Sequence, residues 1–216
     1  MTEPLALSAD PLPLDSAVAS ITLLEDPGSL KLLSAIARTR FGFCNIAAAG
    51  TLVCSLSLHG TREQAAIEER LLTRLWPTAR IARNSRSAIG MATELTEDPH
   101  ASRRWLPAVS RASAFQLAVW AAATAIPAGQ TRSYGEIAAA IGAPAAARAV
   151  GQALSRNPVA ILIPCHRVLP APGKIGNYRW GTPRKQQLLD WERERSATRI
   201  ANHALPSTRC SANPGP

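Results

Sequence analysis

Residues 133–168 read S-Y-G-E-I-A-A-A-I-G-A-P-A-A-A-R-A-V-G-Q-A-L-S-R-N-P-V-A-I-L-I-P-C-H-R-V. Ser133, with Glu136 three residues on, has the spacing of a capping box, and Ile137 and Ile141 then fall on one helical face. Gly142 ends that helix, Ala143 turns the chain, and Pro144 suits the first position of a second helix. In the second helix Val150 and Leu154 point inward. Two short helices joined by a tight glycine-containing turn predict a helix-turn-helix. The outer face of the second helix falls to Ala145, Arg148, Ala149, Gln152 and Arg156. Alanines around one long cation let a helix come very close to another surface.

The chain then runs from Asn157 through an apolar stretch, Val159 to Ile163, into Pro164 and presents Cys165, His166 and Arg167 in succession. One reading is a buried core cysteine. Pro164 stops a regular ladder, however, and three polar groups in a row do not suit a simple core strand. The stretch reads as a reactive thiol. Cysteine attacks as its thiolate, and a cation and a histidine beside it are the usual means of raising the ionised fraction. The following loop, P-A-P-G-K-I-G-N-Y-R-W-G, holds Gly173, Gly176 and Gly181. Thr182 caps and Pro183 opens a last helix through about Arg195, with Leu188, Leu189 and Glu192 on its inner face. A buried carboxylate needs a partner. His166 is the candidate, because His59, His100 and His203 lie outside this module.

Upstream, Ser113 and Gln116 repeat the capping-box spacing, and Phe115, Val119, Ala122 and Ile126 mark an amphipathic helix that stops at Pro127. Residues 82–112 read as a connection. Residues 41–58 alternate with period two and turn at Ala49-Gly50, which predicts two strands. Thr61 and Gln64 open a helix carrying Ile67, Leu71, Leu72 and Leu75 inward, and Pro77 stops it. Cys44 and Cys54 are then core residues. Residues 28–38 suggest a short helix and residues 1–20 a mobile arm. The expected organisation is an arm over 1–38, an α/β domain over 39–100, a linker over 101–112, a second domain over 113–195 and a disordered tail over 196–216. Cys210 and His203 in that tail are incidental.

Lys and Arg number 24 against 15 Asp and Glu, and the surplus is local. Residues 101–195 hold 13 basic against 4 acidic side chains, whereas residues 1–100 hold 9 against 11. The positive charge shares a half with the thiol, which points to a polyanionic partner. No apolar run is long enough to span a membrane, so no membrane partner is expected. The start lacks the basic and apolar pattern of a secretory signal. The four cysteines form no C-x-x-C pair, so free thiols in a reducing, cytoplasmic setting are expected, without a metal or other cofactor.

The stretches S-Y-G-E-I-A, R-A-V-G-Q-A, N-P, I-P-C-H-R-V and the loop before Glu192 resemble, in order and spacing, the O6-alkylguanine-DNA alkyltransferases (methylated-DNA–protein-cysteine methyltransferases). The likeness runs from about Phe115 to Glu192 and more loosely over residues 41–76. It implies a small ribonuclease H-like α/β domain followed by a winged-helix-like, mostly helical domain. It also implies a monomer that binds double-stranded DNA from the minor groove and flips out a damaged base. Cys165 would take a methyl or larger alkyl group irreversibly from O6 of guanine, or from O4 of thymine. Arg148 would replace the flipped nucleotide, with Ala147, Ala149, Gln152 and Arg156 beside it on DNA. Tyr134 would crowd the rotating phosphate and then bond the guanine ring. Asn157 would hold the turn, His166 would take the thiol proton through a water, and Glu192 would orient the imidazole. The carbonyls of Cys165 and Val168, with Gly176, Tyr178 and Arg179, would form the base pocket, and Trp180 would narrow its mouth.

The Y-R-W-G form resembles the alkyltransferase domain of bacterial adaptive-response proteins. The cysteine-rich zinc domain of those proteins has no counterpart here, so neither phosphotriester repair nor an activator domain is expected. Three other readings compete. A non-catalytic relative that binds alkylated DNA would lack the cysteine, a cysteine hydrolase would not need a DNA-binding module, and a transcription factor would read more bases than this alanine-rich helix can.

Overall fold

The structure is a computed structural model that describes residues 12, 21–24, 30–98, 104–170 and 174–203. Its first lobe is a six-stranded mixed sheet. The strands are β1 (Thr22–Leu23), β2 (Lys31–Thr39), β3 (Gly42–Ala49), β4 (Leu52–His59), β5 (Arg80–Ala82) and β6 (Leu106–Val109). They lie in the order β1-β6-β4-β3-β2-β5. Antiparallel pairs β2–β3 and β3–β4 form the centre, and the shorter strands add to the flanks in parallel. The expected strand pair over 41–58 and its turn at Gly50 are present, and Cys44 and Cys54 are buried within it.

Several expectations fail in this lobe. Residues 28–38 carry a strand, β2, where a helix was expected, because a short run such as L-L-S-A-I-A has no decisive period and β3 supplies seven register partners. Residues 31–38 therefore belong to the sheet, as does β6, so the sheet draws strands from both sides of 39–100. The connection expected over 82–112 contains helix α2 (Arg86–Glu97) as well as β6. Helix α1 (Arg62–Leu75) is capped by Thr61 and buries Leu72 as expected, together with Ala65. Ile67 and Leu75 are exposed, because Ile67 sits two residues, about 200°, from Ala65 around the helix. The glutamine of the expected capping box bonds the backbone N–H of Gly60 in place of that of Thr61.

The second lobe contains α3 (Ala114–Thr124), α4 (Tyr134–Ala140), α5 (Ala147–Ser155) and α6 (Thr182–His203). Reciprocal capping boxes at Ser113/Gln116 and Ser133/Glu136 start α3 and α4. Val119, Ala122 and Ile126 are buried, with Phe115 packed beside them. Gly142, at φ +73°, ends the α4 turn. Pro144 sits in the turn before α5, three residues short of its first position. The indole N–H of Trp120 donates to the Ala153 carbonyl at 2.9 Å and fixes α5 on α3. A two-stranded parallel pair, β7 (Arg132–Ser133) with β8 (Val168–Leu169), ties the start of α4 to the segment after the thiol. Helix α6 continues past Arg195 to His203, into the segment expected to be a disordered tail. The expected arm over residues 1–20 (save Leu12), loop residues 171–173 and the rest of the tail, Cys210 included, lie outside the described residues.

The lobes meet at the thiol loop and along α6. Val159 makes a parallel bridge to Leu56 of β4, with Leu56 N–H donating to the Pro158 carbonyl at 3.0 Å and Ala160 N–H donating to the Leu56 carbonyl at 2.8 Å. Phe41 and Trp191 pack edge to face, with centroids 5.2 Å apart. Arg184 donates to the carbonyls of Phe41 and Trp180. Among the described residues, no helix is long and apolar enough to cross a membrane.

Candidate active site

The apolar run before the thiol folds as consecutive tight turns. Ile161 lies at φ +69°, a conformation that a β-branched residue rarely adopts, and it is buried there. Asn157 secures the loop from within. Its amide donates to the Ile163 carbonyl at 2.7 Å and lies 3.2 Å from Cys165 Sγ, while its Oδ1 accepts from Val159 N–H at 2.8 Å. Cys165 then opens a 3₁₀ turn, Cys165–Arg167, at 6% exposure.

Sγ reaches a cavity of about 230 Å³ lined by Tyr134, Gly151, Leu154, Ser155, Asn177, Tyr178 and Arg179. That is below the ~300–1,000 Å³ of drug-sized sites. Burial raises the pKa of the thiol, and the Asn157 amide and the Lys185 ammonium act against that rise. The Tyr178 hydroxyl is buried beside the thiol without a well-formed hydrogen bond among the described residues, and burial holds its pKa well above the usual phenol value. Tyr134 is shifted upward by burial and by the charge of Cys165.

Behind the thiol, Glu192 is fully buried and saturated with donors. His166 Nε2 lies 2.8 Å from Oε1, Arg167 Nη2 donates to Oε1 at 2.8 Å, and Gly129 N–H donates to Oε2 at 3.1 Å. Gly129 has φ +82°, and a Cβ there would stand 2.8 Å from Ser196 Oγ, so only glycine brings its N–H this close. Burial alone would raise the Glu192 pKa, but Arg167 and His166 outweigh it and hold the carboxyl well below its usual range. An ionised carboxylate can only accept, so His166 carries its proton on Nε2 and leaves Nδ1 bare. That Nδ1 is buried without a hydrogen-bond partner among the described residues, and burial lowers the pKa of the imidazole. A neutral imidazole with a free lone pair is a base.

Residues 114–194 match the family model of the 6-O-methylguanine DNA methyltransferase DNA-binding domain. The crystal structure of Mycobacterium tuberculosis OGT in complex with DNA superposes with a TM-score of 0.57 at 33% identity, covering 76% of this chain and 94% of that one. The chain belongs to the O6-methylguanine DNA methyltransferase family. The methylated-DNA–protein-cysteine methyltransferase of Mycolicibacterium paratuberculosis is 59% identical over 86 residues, 40% of this chain and 52% of that protein. The bifunctional transcriptional activator/DNA repair enzyme Ada of Escherichia coli is 52% identical over 89 residues, 41% of this chain and 25% of that protein. The mycobacterial sequence is the more similar of the two, although Y-R-W-G had pointed to adaptive-response proteins. The chain spans about half the length of the first of these curated relatives.

Of the residues singled out for this family's chemistry, Cys165, Asn157, His166, Glu192, Tyr134, Tyr178 and Arg179 come together at or directly behind the cavity. Arg148, Ala149, Gln152 and Arg156 are exposed along α5, with Ala147 half-buried. Three assignments differ. Trp180 is 5% exposed and lines a separate cavity between the lobes, with His59 and Arg184, so it does not narrow the mouth above Cys165. Gly176 packs on Pro170, where a Cβ would stand 2.8 Å from Cδ, and is not on the cavity wall. Val168 is not among the residues lining the cavity, and its carbonyl accepts one hydrogen bond, from Lys185 Nζ at 2.8 Å.

Lys185 is the principal omission from the sequence reading. It is fully buried, and burial pushes its pKa down to about 8, against the charge of Cys165. The signal was present: 185, 188, 189 and 192 are spaced as one helical face. Ser155 and Asn177, which also line the cavity, are polar residues in otherwise polar segments and carried no such signal.

Proposed function

We propose that this protein repairs alkylated duplex DNA by moving an alkyl group from O6 of guanine to Cys165 Sγ. The observation that carries the reading is a buried thiol on a cavity of about 230 Å³, backed by a histidine whose Nε2 faces a buried carboxylate and whose Nδ1 has no partner among the described residues. The Sγ–carbon bond forms as the carbon–O6 bond breaks. The thiol proton passes through a water to His166 Nδ1, and Glu192 stabilises the imidazolium that results. The departing guanine takes a proton at its ring from the Tyr134 hydroxyl and leaves as the ordinary base, and the proton held by His166 returns through water to the Tyr134 phenolate. In-line approach and donors placed for the leaving group supply the rate. O4-alkylthymine offers the same oxygen-bound carbon and is a second substrate of this reading.

The thioether has no route back to thiol, so each molecule acts once. Helices α4 and α5 serve as a helix-turn-helix that meets the minor groove, because the exposed alanines of α5 permit close approach. Arg148 fills the stack when the base leaves. Flipping costs a few kcal/mol, less at a poorly paired methylguanine.

Mass spectrometry after incubation with a methylguanine-containing duplex tests the reading. One methyl on the peptide containing Cys165, at one equivalent per protein, is expected. Methyl transfer that persists in Cys165→Ala would refute it.

A further inference from the structure

A second cavity, of about 360 Å³, opens on the far side of the α5 terminus. Three arginines from three elements reach it: Arg74 in the last turn of α1, Arg111 between β6 and α3, and Arg156 at the end of α5. All three are exposed, no carboxylate lines the cavity, and none of the three has a carboxylate partner among the described residues. The inner wall is Trp76 and Trp120, both buried, so the guanidinium groups work against a low-dielectric surface that focuses their field. Gln116 adds a neutral donor. Its Oε1 is held by Ser113 N–H at 3.0 Å, which leaves the side-chain NH₂ for the cavity. Three like charges lining one cavity with no carboxylate among its lining residues suit an oxyanion, and the guanidinium fork matches phosphate.

We propose that this cavity binds a phosphodiester of the DNA backbone and carries the footprint of the duplex onto the first lobe. The proposal rests on the DNA reading above. Position is what selects DNA over a free anion. Leu154 and Ser155 line the thiol cavity while Arg156 and Pro158 line this one, so the two cavities flank a single turn of chain. A strand lying on the exposed face of α5 to deliver a base to Cys165 passes Arg156, which shares its cavity with Arg111 and, from the first lobe, Arg74.

The test is duplex binding by fluorescence anisotropy across a salt series, for wild type, the double variant Arg74→Gln/Arg111→Gln, its Lys/Lys counterpart and Arg62→Gln. Arg62 lies at the other end of α1, about 18 Å along the axis, and controls for lost charge alone. In the Gln/Gln protein the slope of log K against log salt should fall in magnitude by about 1 for one lost phosphate contact, with several-fold weaker binding at low salt. The Lys/Lys protein and Arg62→Gln should keep the wild-type slope. An unchanged slope in Gln/Gln, or an equal fall in Arg62→Gln, overturns the proposal. Saturation by millimolar inorganic phosphate in wild type, with the duplex slope intact in Gln/Gln, assigns the cavity to a free anion and also overturns it. A wild type that binds no duplex removes the DNA reading itself.

Discussion

Glu192 keeps its charge in the protein interior because His166, Arg167 and Gly129 all face it. Glu192→Gln keeps the shape and removes the charge, leaving Arg167 buried without its counter-ion. Breaking such a pair costs about 3–5 kcal/mol, so the melting temperature should fall by roughly 10 °C. The folded carboxyl sits well below the ordinary 4.5, so its stabilisation is complete above that pH and is lost as pH falls towards the folded value. Acid unfolding should therefore be less pH-dependent below 4.5 in the variant, as denaturant melts at several pH values would show. Lys185 acts on the thiol directly. Its charge opposes the upward shift of Cys165, so Lys185→Met should move the pH–rate profile for a free alkylated guanine to higher pH. In wild type the lysine loses that charge near pH 8, so the profile should flatten above it. An unshifted profile in the variant would remove Lys185 from the chemistry.

The elements carry the thiol through a chain of contacts that begins in the first lobe. Glu68 on α1 pairs with Arg179 at 3.6 Å, Arg179 donates to the Asn157 carbonyl at 3.0 Å, and Asn157 lies against Sγ. The pair is partly exposed and worth under ~1 kcal/mol of stability. Glu68→Gln should leave the melting temperature within a few degrees yet slow methyl transfer several-fold, as single-turnover kinetics would reveal. On α5 the requirement is small size. Ala149→Glu should cost little stability on an exposed helical position but weaken duplex binding at least tenfold, which the same anisotropy titration reads. The capped helices of the second lobe were legible because caps and three-to-four spacing are local signals, as Ser133 with Glu136 and Ile137 illustrate. Helix α2 was missed although Ala88, Met91, Ala92 and Leu95 hold that spacing, because its small side chains give a weak apolar stripe. β2 was misread because its strand character comes from β3 and β5, partners remote from it in sequence or visible only in pairing.

Across the whole molecule, the thiol loop is shared property. Its sequence lies in the second lobe, but Leu56 of β4 completes its hydrogen bonding. A fragment starting at Ser113 should therefore melt broadly and react poorly at Cys165, whereas the full chain should unfold in one transition by circular dichroism. The chemistry of this site was readable from Cys165, His166 and Glu192 because each needs a charged or polar partner. Trp180 was misplaced because its residue type says nothing about which of two adjoining cavities it fills. The Leu56 joint left no trace at all in composition or spacing. It is made entirely of main-chain N–H and carbonyl groups, the part of the polymer that every residue has in common. An alanine scan would empty the core around Leu56 and Val159 yet leave these main-chain bonds in place. Only an atom-level edit, such as an ester in place of the Leu56 or Ala160 amide, would remove one of these bonds and spare the side-chain contacts at Phe41, Trp191 and Arg184 that also join the lobes.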